Sequence, residues 1–117
     1  MTMDRRTRVA ISTGGSIVAP EPLDPGFVSE LASVLIEASK VRDLLVVVGG
    51  GRTARRYIDA CRDLGADEDY LDLVGIDCTR LNARILIAAL GKEAYPGVPA
   101  TVHDAVEVSR DHPIVVM

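Results

Sequence analysis

Hydrophobic positions along the chain fall into two rhythms. Unbroken apolar stretches, led by Val9 to Ser12, Leu44 to Val48 and the run after Pro113 to Met117, alternate with longer segments in which apolar residues return every third or fourth position. The first rhythm predicts strands, and a fully apolar strand such as Leu44 to Val48 is expected where a sheet is covered on both faces. The second predicts helices. One spans about Phe27 to Lys40, with Phe27, Leu31, Val34, Leu35 and Ala38 on a common face. A second runs from the Gly49-Gly50-Gly51 cluster to about Leu64, stopped by Gly65, and a third from about Asp72 to Leu90, stopped by Gly91. A Pro-bearing loop over Tyr95 to Pro99 then leads to a short amphipathic helix near His103 to Arg110.

Strands that alternate with helices in this way specify an α/β fold: a mainly parallel sheet with helices packed on its faces, a three-layer αβα sandwich. Ligands of such sheets bind beyond the carboxyl ends of the strands. Two of the predicted strands end there in glycine, Thr13-Gly14-Gly15-Ser16 after the first and Gly49-Gly50-Gly51-Arg52 after the second. Without a Cβ, backbone amides approach an anion closely. Thr-Gly-Gly-Ser taken alone also fits an ordinary turn, whereas a triple glycine between an apolar strand and a helix start favours a phosphate or carboxylate site.

Composition narrows the partner. The 117 residues carry a net charge of −4 and 48% apolar content, the make-up of one globular domain without the basic stripe of a nucleic-acid binder. Cys61 and Cys78 stand far apart and form no Cys-x-x-Cys pair, which favours reduced core residues and a cytoplasmic protein. The charged stretch at Met1 to Arg8 is followed by too short an apolar run for a signal peptide, and no apolar run nears the roughly 18 residues of a membrane span. Small molecules and further copies of the chain are the expected partners.

Arg52, Arg55 and Arg56 stand at the start of a predicted helix, where the positive end of the helix dipole disfavours cations unless an anion is bound. Arg52 and Arg56, four residues apart near Asp59 and Asp63, also fit a solvated helix face. Arg55 is the candidate ligand. Gly49-x-Gly51-x-x-Ala54 matches the dinucleotide fingerprint formally, but a polar stretch follows in place of a second strand ending in an acidic residue. A Walker A loop is excluded because neither cluster contains Gly-Lys.

Three stretches carry a resemblance to a known family: Gly14-Gly15-Ser16-Ile17-Val18-Ala19-Pro20, Val46 to Ile58, and above all Asp72-x-x-Gly75-Ile76 followed by Thr79-Arg80-x-Asn82-Ala83. Together they resemble the amino-acid kinase superfamily, and within it the archaeal type of uridylate (UMP) kinase, over about Val9 to Met117. The resemblance implies an amino-acid kinase fold, the reaction of ATP and UMP to ADP and UDP in pyrimidine nucleotide biosynthesis, Mg²⁺ as cofactor and hexamers built from dimers. It further implies that Gly15, Ser16, Gly51 and Arg55 contact ATP, and that Gly50 faces the UMP phosphate while Asp72 binds the ribose hydroxyls. Read from the residues alone, Asp72 before an apolar run equally fits a helix N-cap. Thr79, Arg80 and Asn82 fit helix packing or subunit contacts.

Two features depart from the family. Ser12 stands where many superfamily members carry a lysine two residues before the Gly-Gly loop. Members are also about twice this length, so residues 1–117 are expected to be the N-terminal, monophosphate-binding part of the domain, a truncated or partial sequence without the C-terminal ATP-binding part. A non-catalytic nucleotide-binding or assembly module, or another superfamily member such as an isopentenyl phosphate or acetylglutamate kinase, is the competing expectation.

Overall fold

The computed structural model describes residues 7–117; the charged segment before them lies outside the described residues. Three parallel strands, β1 (Arg8–Thr13), β2 (Asp43–Val48) and β3 (Ile114–Val116), form one sheet in the order β1-β2-β3. Between them lie a single turn α1 (Gly15–Val18), then α2 (Pro25–Ser39), α3 (Gly51–Asp63), α4 (Glu68–Leu90) and α5 (Val102–Ser109).

Register explains which residues are covered. Leu44 pairs with Val9 and Ile114, and Val46 with Ile11 and Val116, so these side chains share one face of the sheet. On that face Leu44, Val46, Val48, Ile114 and Val116 join Val28, Ala32 and Leu35 of α2 and Ala83, Leu86 and Leu90 of α4 in one core. Burying each large member is worth about 1.5–3 kcal/mol. The other face is uneven. Val115 is buried where α5 packs against β3, whereas Val47 is 41% exposed and Ala10 and Ser12 lie open to solvent.

Helix boundaries follow from capping. Asp24 accepts the Phe27 N–H at 3.1 Å with Pro25 at the first position, Asp67 accepts the Tyr70 N–H at 2.8 Å, and Thr101 Oγ1 accepts the Asp104 N–H at 3.0 Å. Asp67 therefore starts α4, with Glu68 and Asp69 favourably placed in its first turn. The expected start at Asp72 is corrected. Asp72 lies inside the helix, exposed, and caps nothing.

The buried stripe of α2 also differs from the expected one. Val28, Ala32, Leu35 and Ser39 face the core, while Phe27 and Val34 are 42% and 65% exposed. Ser39 disguised this stripe in the sequence: its hydroxyl is satisfied by the Ile36 carbonyl at 2.7 Å, so a polar residue occupies a buried position. Gly65 and Gly91 follow α3 and α4 with φ of +93° and +58°, which a side chain would strain.

Candidate functional site

Because β1 and β2 run parallel, both glycine clusters emerge at the same edge of the sheet. There they press together. The Gly49 N–H continues the ladder by donating to the Thr13 carbonyl at 3.0 Å. A Cβ on Gly15 would stand 2.3 Å from the Gly49 carbonyl oxygen and 2.6 Å from the Gly51 nitrogen, and one on Gly51, whose φ is +56°, would stand 2.5 Å from the Ser16 nitrogen. Only glycine permits this approach at either position.

The first loop does not remain an open turn, as its sequence suggested. Gly14 accepts the Ile17 N–H at 3.0 Å and Gly15 accepts the Ala19 N–H at 2.7 Å, so Gly15 and Ser16 open α1. The Ser16 hydroxyl accepts the Arg52 N–H at 3.2 Å and ties the two loops together. Among the described residues, the N–H groups of Gly15, Ser16, Gly50 and Gly51 donate to no protein acceptor. Four amides without a protein acceptor in adjoining glycine loops, two of them at the start of α3, are donors of the kind that can hold an anion.

The structure thus brings Gly15, Ser16, Gly50 and Gly51 together and leaves Arg55 and Asp72 outside this contact. Arg55 is exposed one turn into α3, a helix that buries none of its own residues. Arg56 is tied to Glu21 in an exposed ion pair, and Asp59 pairs with Arg62 at 3.2 Å instead of with Arg52 or Arg56. Arg52, Arg56 and Tyr57 line a cleft of about 700 Å³ against the Ala19–Leu23 segment. Asp72 sits on α4, which packs along α3. Thr79 of α4 lies beside Gly50, its Cγ2 3.6 Å from a Cβ built there. Asp72 is seven residues nearer the helix start, roughly 10 Å away along the axis.

Two residues read as packing or subunit contacts hold this region instead. Asn82, 1% exposed, donates through Nδ2 to the carbonyls of Gly49 and Gly50, each at 3.0 Å. Arg80 donates to the Val98 and Pro99 carbonyls at 2.8 and 3.3 Å, fixing the Pro-bearing loop. The burial of Asn82 was legible, since Cys78, Asn82 and Leu86 recur at four-residue spacing on the buried stripe of α4. Among the described residues no group of three or more His, Cys, Asp or Glu is arranged to hold a metal ion. No helix there is long and apolar enough to cross a membrane.

Residues 7–115 match the model of the amino acid kinase family. The chain belongs to this family. Its relatives include the uridylate kinase of Methanothermobacter thermautotrophicus, 51% identical over 94% of this chain and 49% of that protein. Another is the uridylate kinase of Methanosarcina mazei, 48% identical over 93% of this chain and 46% of that protein. The crystal structure of uridylate kinase from Archaeoglobus fulgidus superposes with a TM-score of 0.87 at 37% identity, over 95% of this chain and 50% of that one. The amino-acid kinase fold read from the sequence is therefore established, and the chain spans about half the length of these family members.

Proposed function

We propose that this chain is the N-terminal, monophosphate-binding part of a UMP kinase, which transfers the γ-phosphoryl group of ATP to UMP and yields ADP and UDP. The observation that carries this reading is the contact of the two glycine loops, with four unpaired N–H groups at one edge of the sheet. Two phosphate-bearing substrates are needed for phosphoryl transfer, and two adjoining loops give each a set of donors. The names of the relatives supply the acceptor.

In this reading the Gly50 N–H faces the UMP phosphate, and Asp72 accepts hydrogen bonds from the ribose hydroxyls farther along α4. Gly15, Ser16, Gly51 and Arg55 hold ATP, which arrives with Mg²⁺. An oxygen of the UMP phosphate bonds to the γ-phosphorus as the bridge to the β-phosphate breaks. The attacking oxygen is already anionic, so no general base is required, and catalysis is positioning and charge neutralisation. The exposed apolar positions Phe27 and Val34 of α2 and Leu73, Ile76 and Leu81 of α4 support assembly into dimers and hexamers. A cytoplasmic place in pyrimidine nucleotide synthesis accords with the substrates.

The test is a coupled ADP-release assay on a protein carrying these residues at the full length of the relatives, with UMP, CMP, AMP and N-acetylglutamate as acceptors. UMP should give the highest kcat/KM. Preference for another acceptor would overturn the assignment.

A further inference from the structure

Asn is a poor helix former in the middle of a helix. Asn82 nevertheless occupies the buried stripe of α4 between Cys78 and Leu86. Both of its polar contacts are backbone carbonyls, those of Gly49 and Gly50. Two carbonyls demand a donor, which assigns the NH₂ group to this side and uses both of its hydrogens.

The consequence follows from peptide geometry. In a trans peptide the C=O and the next residue's N–H point in opposite directions. Drawing the Gly49 carbonyl toward Asn82 turns the Gly50 N–H away from it, and the Gly50 carbonyl, shared between Asn82 and the Ala54 N–H at 3.1 Å, turns the Gly51 N–H away likewise. These are two of the amides that have no acceptor among the described residues. A glycine triplet has little intrinsic preference for one conformation, so its donors need an external constraint to be preorganised.

We propose that Asn82 is a positioning residue of the phosphate site: from behind the loop, its amide presents the Gly50 and Gly51 N–H groups to phosphoryl oxygens. Its two donors are spent on the loop carbonyls, so it acts through the loop. The inference rests on the kinase reading for its ligand, since it has one side chain help to aim a donor at each substrate phosphate.

The test is an amide NMR titration of this chain with UMP, and separately with inorganic phosphate. It compares the unsubstituted protein with Asn82→Asp, which keeps the shape but loses the donors, and with Asn82→Ala. Ala32→Gly in α2 is the stability control, because it weakens a helix away from the loops. The Gly50 and Gly51 amides should shift on adding UMP. Both Asn82 variants should bind at least tenfold more weakly and lose those shifts, while Ala32→Gly lowers the melting temperature and keeps the dissociation constant within twofold.

Unchanged affinity in folded Asn82 variants would overturn the proposal and leave the kinase reading standing. Phosphate-induced shifts without any response to UMP, abolished by Asn82→Asp, would support the positioning role and count against the kinase reading. Silence of both amides toward both ligands, or failure of both variants to fold, would overturn the positioning role.

Discussion

The covered face of the sheet and its carboxyl edge are built from opposite materials. On the face, Leu44, Val46, Ile114 and Val116 meet Ala83 and Leu86 through side chains alone, and stability comes from area removed from water. At the edge, Gly15, Gly49, Gly50 and Gly51 meet through backbone, and a side chain contributes by its absence. The face resists change in proportion to volume, whereas the edge at Gly15 and Gly51 resists any added atom. One long helix serves both regions, with Leu86 and Ala83 in the core and Asn82 under the glycine loop.

The largest effect is expected from placing a side chain in the edge. Gly15→Val would drive atoms into the Gly49 carbonyl and the Gly50–Gly51 peptide, and backbone cannot yield as a flexible side chain does. UMP binding measured by calorimetry should vanish, with a melting temperature far below the parent. Binding of parental strength would show that the loops separate readily and would break the contrast.

Next comes the face. Leu86 is fully buried, and Leu86→Ala should reduce unfolding free energy by about 2–5 kcal/mol in urea titrations. The fraction still folded should bind UMP with parental affinity. A changed affinity in the folded fraction would mean that core and edge are coupled, not merely adjacent.

Arginine substitutions sharpen the edge itself. Arg55→Ala should lower kcat/KM of the relatives'-length enzyme by a factor equivalent to about 2–4 kcal/mol, as removal of one preorganised donor to developing charge does. That is tens to hundreds of fold. Arg56→Ala removes only an exposed ion pair with Glu21 and should cost about 0–1 kcal/mol. Equal small losses at both positions would leave the amides as the sole phosphate donors.

The smallest effect concerns the thiols. Burial raises the Cys78 thiol above its ordinary pKa, helped by nearby Asp77 and Cys61. Less thiolate is present near neutrality, so iodoacetamide should label half-exposed Cys61 before Cys78. Raising the pH toward the shifted Cys78 value should narrow the gap. Faster labelling of Cys78 at neutral pH would contradict the packing of α3 on α4.

What the sequence disclosed divides along the same line. The strands and the carboxyl-edge position of both glycine loops were legible because apolar runs and glycine act locally. The face of α2 was misjudged at Phe27 and Val34, since a buried serine bonded to its own helix looks polar in any periodicity count. The start of α4 was missed because Asp67, Asp69, Asp72 and Asp77 are all capable caps, and only the backbone at Asp67, with φ −80° and ψ 170°, decides among them. The role of Asn82 depends on contacts 32 and 33 positions away, which no local pattern encodes.

The central claim is that the paired glycine loops hold phosphate through backbone amides, and comparing UMP with uridine tests it most directly. Calorimetric titration of this chain should give a dissociation constant for UMP at least tenfold lower than for uridine. The difference should shrink as salt is raised, because part of the attraction is between charges. Equal affinity for the two ligands would mean that the loops do not carry the phosphate, and would contradict the account.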